Sequence, residues 1–366
     1  MSQTTAKLST QTPPPVKLID SASLILTAPI LDKNEIETSG YNYRVLMAKR
    51  VDSGSFSSAH VYPGGKLDEL DGSEEWNDYV DSGKKVQPNS HFEGTKINQI
   101  GEDETQKFRV CAIRETFEET GFLAGSKIIK REPSSGGKRG GHNERELLDQ
   151  CKSKDAVILT SRLSYFSRWI TPPHMKKRFD TKFFMFNISD SDADSVLIDQ
   201  IYLKQNGGSS SREHDSKSMI AQFGELMFLD WRTPGEFMES IRKDELVLYP
   251  PQYYQMKLMS RFFKWQDLQE FARNSGSKRN VDIPLMPFFN KGLEPNSGII
   301  TLPGDHMYLK PLDKQIDLIE GGDQSKPLHR IKLRNTKQGF KDLIITENLG
   351  IFPEPTMNNS DTKHKL

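Results

Sequence analysis

The sequence predicts an α/β fold in which strands and helices alternate along the chain. A strand-length apolar run occurs at 21–28, and the run at 43–48 alternates as a half-buried strand does. A helix is predicted over 106–120, because Gly121 follows at the position where a left-handed residue commonly ends a helix. The 366 residues suffice for one large domain or two modest ones.

The remaining elements are predicted from local signals. A strand over 61–65 ends in the Gly64-Gly65 turn, and Pro234 suits the first turn of a helix that runs to about 242. Apolar residues at helical spacing predict a last helix over about 251–274. Further strands are predicted at 181–188, 225–231, 298–302, 329–334 and 342–346.

Polar segments divide the chain, because such stretches bury too little apolar surface to offset the entropy of ordering. The predicted divisions are a disordered tail at 1–20, a main domain at 21–275, an extension with strands at 276–352 and a flexible tail at 353–366. Gly- and Ser-rich loops are predicted at 133–142 and 205–218.

Charge and composition exclude several classes of function. The 50 Lys and Arg residues balance 50 Asp and Glu, which argues against nucleic acid or an anionic membrane as a partner. No run of about eighteen apolar residues occurs, so no membrane-spanning helix is predicted. The two cysteines, Cys111 and Cys151, are too few for a disulfide framework or a cysteine-based zinc site, and are typical of an intracellular, reducing compartment.

The helix at 106–120 carries three glutamates on one side. At about 100° per residue, an apolar face is formed by Val110, Ile113 and Phe117, and the opposite face by Glu115, Glu118 and Glu119. Carboxylates three and four residues apart repel each other, and their hard oxygens favour Mg²⁺ or Mn²⁺. Such an acidic run is more often a solvated helix face, so both interpretations stay open.

A glycine turn and an arginine accompany the acidic run. Gly65 ends the preceding strand, and Arg114 comes directly before Glu115. This pattern resembles the signature of the Nudix hydrolase family, which is Gly, five residues, Glu, seven residues and then Arg-Glu-aliphatic-x-Glu-Glu-x-Gly. Here Asp71 stands at the first acidic position, and about 42 residues separate it from Arg114, so that 72–104 would be an insertion inside the motif.

The insertion resembles one subgroup of that family, the peroxisomal coenzyme A diphosphatases. Further similarity at 169–172, 178–184 and 248–252 extends the resemblance over roughly 21–263. It implies a Nudix α/β/α sandwich with a mixed sheet, and metal-dependent hydrolysis of the diphosphate in a small nucleotide such as coenzyme A.

The resemblance also assigns roles to residues. The implied metal ligands are Glu115, Glu118, Glu119, the carbonyl of Gly65, and Glu225. Glu115 would alternatively orient water, and Arg114 would hold a glutamate. Arg178 and His174 lie in a basic run and would contact substrate phosphates, although such runs are more often solvated surface.

The last three residues, His364-Lys365-Leu366, resemble the Ser-Lys-Leu peroxisomal address. Peroxisomal residence with an import receptor as partner is therefore expected, and cytoplasmic residence otherwise. Two alternative functions stay open. One is a Nudix hydrolase acting on a dinucleotide cofactor or an RNA cap, and the other is a binding protein that has lost catalysis.

Overall fold

The computed structural model describes residues 17–50, 59–81, 102–127, 129, 145–191, 194–198, 217–223, 225–278, 283–310, 323–336 and 339–356. The predicted loop at 133–142, most of the one at 205–218, most of the predicted insertion and the three C-terminal residues lie outside these ranges. In the helix that carries the glutamates, the structure describes side chains only from Thr105 onward. In the strand that contains Glu225, it describes them only from Phe228 onward.

The strands are β1 Leu18–Pro29, β2 Tyr43–Arg50, β3 Ala59–Val61, β4 Gly64–Lys66, β5 Ser164–Ile170, β6 Arg178–Asn187, β7 Lys217–Phe223, β8 Glu225–Arg232, β9 Val247–Leu248, β10 Phe288–Lys291, β11 Ser297–Thr301, β12 His329–Thr336 and β13 Gly339–Glu347. The helices are α1 Lys33–Ser39, α2 Glu102–Thr120, α3 Glu146–Lys154, α4 Pro234–Arg242, α5 Pro250–Met259 and α6 Trp265–Lys278. The first strand begins at Leu18, three residues before the predicted start.

The larger sheet is mixed, and β1 lies at its centre. β1 runs parallel to β6, from Leu18 opposite Arg178 to Thr27 opposite Asn187, and antiparallel to β2 and β4. The strand order is β5-β6-β1-β2-β3-β9, with β8 also paired to β2 and β7 to β8. The predicted α/β class with a mixed sheet is therefore confirmed.

Hydrophobic cores lie on both faces of this sheet. Alternate residues of β1 point to opposite faces, so that Leu24 and Leu26 pack with α2 while Ile25 packs with α4 and α5. The predicted β-containing extension forms a separate four-stranded antiparallel sheet, β10 to β13, which packs on the second core through residues such as Ile300 and Ile331.

The predicted last helix at 251–274 is wrong as a single element, because the chain breaks between α5 and α6. Tyr43 donates its hydroxyl hydrogen to the carbonyls of Met259 and Phe262, both at 3.0 Å. Asn42 Oδ1 accepts from the backbone nitrogen of Trp265 at 2.7 Å, at the start of α6. The carbonyls at the end of α5 and the backbone N–H at the start of α6 thus have hydrogen-bond partners in or next to β2. The helical spacing of apolar residues alone does not predict these hydrogen bonds.

The first part of the predicted insertion is integrated in the fold. Trp76 and Val80 are 3% and 6% exposed and belong to the core beneath α2. Backbone bonds at 2.8 Å and 3.0 Å join Tyr79 and Asp81 to Ile158. Residues 72–81 are therefore held to the domain by apolar packing and by backbone hydrogen bonds.

None of the helices in the described part of the chain is both long and apolar enough to cross a lipid bilayer.

Candidate active site

The helix that carries the glutamates is enclosed by protein along most of its length. Glu118 is 6% exposed, and Thr116 and Thr120 are buried as well. The two threonines donate their hydroxyl hydrogens to helix carbonyls one turn earlier, at 2.7 Å and 2.6 Å. Gly121 ends the helix with φ at 67°, as predicted. The alternative of a fully solvated acidic face does not hold, because β4 and the turn after it pack against that side of α2, where Glu118 is buried and Glu115 and Glu119 are partly buried.

Gly65 gives Glu115 its place against the backbone of β4. A β-carbon at Gly65 would lie 2.4 Å from the carboxyl carbon of Glu115, closer than atoms can approach. The neighbouring Gly64 donates its backbone hydrogen to Glu119 Oε2 at 3.1 Å. The missing side chain of Gly65 thus lets Glu115 approach β4, and the backbone of the preceding residue, Gly64, holds Glu119.

Arg114 lies at the centre of an acidic cluster formed by Asp71, Glu115, Glu118 and Glu119. Its shortest contacts with a carboxylate are those with Asp71. The guanidinium donates to both oxygens of Asp71, from Nε at 2.7 Å and from Nη2 at 2.9 Å. Both side chains are almost fully buried. This two-point pairing joins the two halves of the interrupted motif, since Asp71 lies in a short 3-10 turn at Glu69–Gly72 and Arg114 lies in α2.

The same guanidinium also holds two of the glutamates. Nη1 donates to Glu115 Oε1 at 3.0 Å and to both oxygens of Glu118 at 3.3 Å. Nη2 donates further to the Lys66 carbonyl at 3.2 Å. The role predicted for Arg114, to hold a glutamate, is present in the geometry. Sequence reasoning missed that it holds three carboxyl groups at once.

Burial and neighbouring charges shift the pKa values of this cluster. Burial raises the pKa of Glu115, and the nearby Glu118 adds to the rise, while Arg114 opposes it. Burial alone would lower the pKa of Arg114, but its hydrogen bonds and charge pairing with Asp71 raise that pKa well above the ordinary value. The arginine is therefore a fixed positive charge beside carboxylates that share it.

Cys111 lies one turn before Arg114 and faces the protein interior. Its thiol contacts the carbonyls of Lys66 at 3.4 Å and Gly65 at 3.9 Å. Burial raises its pKa well above the ordinary value for a thiol. A protonated, buried thiol is a poor nucleophile, so Cys111 has a packing role.

The donor chemistry of the cluster fits a hard divalent cation. Carboxylate oxygens crowd a single guanidinium, and the charge of Glu118 adds to the rise that burial causes in the pKa of Glu115. In the arrangement of the described residues, however, no three His, Cys, Asp or Glu side chains are grouped to hold a metal ion. Arg114 occupies oxygens of Glu115 and Glu118, and Gly64 one of Glu119. To hold a cation, these oxygens would exchange hydrogen bonds for metal bonds.

Arg178, one of the two predicted phosphate contacts, lies away from this cluster. Arg178 pairs with Leu18 at the start of β1, whereas β4 pairs with β1 around Ala22. Four residues of strand correspond to about 13 Å. Arg178 Nε donates to the Thr171 carbonyl at 3.0 Å, and His174 is exposed in the turn before β6. A role of either residue in substrate binding stays a prediction.

Glu225, the predicted downstream ligand, is the first residue of β8. Its backbone pairs with Phe223 of β7, but its side chain lies outside the described part of the chain. Its role as a metal ligand also stays a prediction.

A comparison with known protein families shows which family the chain belongs to. A family model described as the NUDT19 Nudix domain matches residues 19–205, about half of the chain. The chain belongs to this Nudix family. It is accordingly a Nudix diphosphatase, as the signature around Arg114 predicted.

Several relatives align over most of their length. Acyl-coenzyme A diphosphatase NUDT19 of Homo sapiens is 25% identical over 74% of this chain and 74% of its own. The protein of the same name from Gallus gallus is 24% identical over 87% and 89%. Putative nudix hydrolase 7 of Caenorhabditis elegans is 23% identical over 78% and 79%. Among solved structures, a Nudix hydrolase from Alicyclobacillus acidocaldarius aligns with 67% of this chain and 91% of its own, at 18% identity and a TM-score of 0.43.

Proposed function

We propose that this Nudix protein hydrolyses the diphosphate of coenzyme A or acyl-coenzyme A, with Mg²⁺ or Mn²⁺ as cofactor. A water oxygen would bond to one phosphorus as the anhydride bond breaks, giving a phosphopantetheine product and adenosine 3′,5′-bisphosphate. The observation that carries the proposal is the set of hydrogen bonds from Arg114 to Asp71, Glu115 and Glu118. These bonds hold the carboxylates together beside Gly65, although an insertion interrupts the motif.

The names of the relatives support the choice of substrate. Proteins called acyl-coenzyme A diphosphatase from human, frog and chicken align with 73% to 87% of this chain. Since the alignments reach well beyond the acidic helix, they include the sheet and loops that would contact the nucleotide.

Each residue of the cluster has a distinct task in this proposal. Glu118 and Glu119 would supply the principal cation ligands, and the Gly65 carbonyl a further oxygen. Arg114 fixes the side chains in place, because its five donors are shared among carboxylates and a carbonyl. Glu115 suits the orientation of water, since a raised pKa makes a carboxylate a better proton acceptor.

The cation, when bound, would neutralise charge on the diphosphate oxygens and lower the repulsion that an anionic nucleophile meets. The carboxyl groups around Arg114 would attract the cation to this site. Glu225 would add a ligand from β8, and Arg178 and His174 would contact phosphates that extend from the cluster.

The test is Mg²⁺-dependent cleavage of coenzyme A by the parental protein and by Glu119→Gln, followed by chromatography with mass detection. The amide oxygen of glutamine can still accept the Gly64 hydrogen, so the fold is retained while the charge is lost. We expect turnover to fall by about 10²-fold or more. Glu69→Gln is the matched control, because Glu69 is an exposed carboxylate on the neighbouring turn.

Binding of Mn²⁺, measured by calorimetry, gives a second readout that does not depend on turnover. We expect Glu119→Gln to weaken it and Glu69→Gln to leave it unchanged. Turnover at the parental rate in Glu119→Gln would show that the metal site lies elsewhere. Cleavage of a dinucleotide cofactor or a capped RNA in place of coenzyme A would favour the first alternative, and no cleavage of any of them would favour a binding protein.

Residence in the peroxisome, with an import receptor as partner, is part of this proposal. The supporting observation is the resemblance of His364-Lys365-Leu366 to a peroxisomal address. Removal of these three residues from a fluorescent fusion should redistribute it from peroxisomes to the cytoplasm.

A further inference from the structure

Two lysines from different elements converge on one buried aromatic ring. The ammonium of Lys182, on β6, lies 3.4 Å from the centroid of the Phe108 ring, and that of Lys107, on α2, lies 5.4 Å from it. Phe108 itself is 4% exposed, whereas both lysines are half-buried. Each ammonium gains a favourable contact with the ring, but the two like charges repel each other.

Among the described side chains, the charges that act on Lys182 do not neutralise it. Arg168, Asp180 and Asp20 are the other charged groups that act on Lys182. Asp180 is already held at two points by Arg168, and Asp20 is exposed at the strand surface. Neither Lys107 nor Lys182 makes a salt bridge within the described part of the chain. Among the described side chains, Lys182 and the charged groups that act on it comprise three cations and two carboxylates.

Burial lowers the pKa of Lys182, and the charges of Arg168 and Lys107 lower it further, while Asp180 and Asp20 act in the opposite direction. A half-buried ammonium that a second ammonium repels is an unfavourable arrangement. An anion within reach of both ammoniums would offset this repulsion.

The lysine pair lies on the same face of the sheet as the acidic cluster. Lys182 is two residues before Phe184, which packs in the core beneath α2, so both side chains point to that face. The pairing register places Lys182 opposite Ala22, and Ala22 opposite Gly65. Two strand spacings therefore separate Lys182 from the glycine that seats Glu115, or about 10 Å between α-carbons.

This spacing matches a feature of the proposed substrate. In a nucleoside 3′,5′-bisphosphate, six covalent bonds join the two phosphorus atoms, so they lie no more than roughly 9 Å apart. A lysine side chain adds several ångströms of reach toward the cluster. A nucleotide whose 5′-diphosphate lies at the glutamates can therefore present its 3′-phosphate to the lysines.

We propose that Lys182 and Lys107 form a binding site for the 3′-phosphate of the nucleotide substrate. The inference rests on the proposed function and deepens it, since this phosphate distinguishes coenzyme A from nucleoside diphosphate compounds that lack it. The lysines contact a phosphate that does not react, so they determine specificity and take no part in bond breaking.

The test compares kcat/KM for coenzyme A and for dephospho-coenzyme A, which differ only in the 3′-phosphate. Lys182→Met keeps the length of the side chain and its packing on Phe108 but removes the charge. We expect it to lower kcat/KM for coenzyme A by about tenfold, as the loss of a charged hydrogen bond does, and to change that for dephospho-coenzyme A less than about twofold. Lys182→Arg should restore most of the loss.

Lys177→Met is the matched control. Lys177 also lies over a phenylalanine ring, at 5.0 Å from the centroid of Phe179, but it is exposed in the turn before β6. For both substrates, the kcat/KM of this variant should equal that of the parental protein. An equal loss on both substrates in Lys182→Met, or a loss on neither, would overturn the inference.

Failure of the proposed function is distinguishable from failure of this site. If the parental protein cleaves neither compound, the proposed substrate is wrong, and binding decides the question of the lysines. Calorimetry with adenosine 3′,5′-bisphosphate and with adenosine 5′-monophosphate should then show a preference for the bisphosphate that Lys182→Met abolishes. Equal affinity of the parental protein for the two nucleotides would overturn the site.

Discussion

Asp71 and Arg114 form a buried, two-point ion pair across the break in the Nudix motif. The two contacts, Oδ1 to Nε and Oδ2 to Nη2, measure 2.7 Å and 2.9 Å, and the side chains are 1% and 4% exposed. About 42 residues separate the partners along the chain. The pair therefore closes the motif in space where the sequence leaves it open, and Arg114 stays oriented toward Glu115 and Glu118.

Loss of this pair should destabilise the domain strongly. Asp71→Ala leaves the buried guanidinium of Arg114 without its main partner, which typically costs about 3 to 5 kcal/mol in the free energy of unfolding. Urea denaturation followed by circular dichroism measures the change. Glu69→Ala, at an exposed carboxylate two residues away, should alter that free energy by no more than about 0.5 kcal/mol. If Asp71→Ala unfolded at the same urea concentration as the parental protein, the pair would not stabilise the fold.

A methyl group at Gly65 should impair catalysis more than stability. The added carbon would meet the carboxyl group of Glu115 at 2.4 to 2.5 Å, so that flexible side chain must move. A displacement of about 1 Å in a catalytic group can cost roughly 10²-fold in rate, so we expect Gly65→Ala to lose most of its turnover while it unfolds near the parental temperature. Gly72→Ala is the control, since its new carbon would lie 3.7 Å from Lys107, an ordinary contact.

A double-variant cycle shows whether this effect acts through Glu115. In a Glu115→Ala background the clash is absent, so Gly65→Ala should cause little further loss of kcat/KM. A full additional loss in that background would point instead to the carbonyl of Gly65.

Stability should depend on pH through Asp194. Burial would raise the pKa of this carboxyl, but hydrogen bonds and charge pairing with Arg162, at 2.6 Å and 2.8 Å, and hydrogen bonds from Ser189 hold it below the ordinary value. A lowered pKa stabilises the fold above the unfolded-state value near 3.9, and that stabilisation is lost as the pH falls through the folded-state pKa.

Asp194→Asn measures this contribution. We expect it to lower the free energy of unfolding by about 1 to 3 kcal/mol at neutral pH, with the difference constant above about pH 4 and shrinking below it. Urea denaturation over this pH range gives the profile. Asp190→Asn, at an exposed site nearby, should parallel the parental curve, and a difference for Asp194→Asn that grows toward acid pH would contradict the assignment.

Local sequence signals were sufficient where neighbours along the chain decide the structure. The end of α2 at Gly121 and the start of α4 at Pro234 follow from backbone preferences of those residues, and both were predicted. The break between α5 and α6 was not, because it depends on hydrogen bonds to Tyr43 and Asn42, more than two hundred positions away.

The family and its signature residues were readable from the sequence alone, because the spacing of Arg114 and the three glutamates on one helix is a local property. The burial of those glutamates was not. It arises because β4 and the Asp71 turn pack against α2, so that each carboxylate finds a guanidinium or a backbone hydrogen. The pairing of Lys107 with Lys182 was likewise decided only by the tertiary structure, since helix and sheet packing brings together charges that lie far apart in the chain.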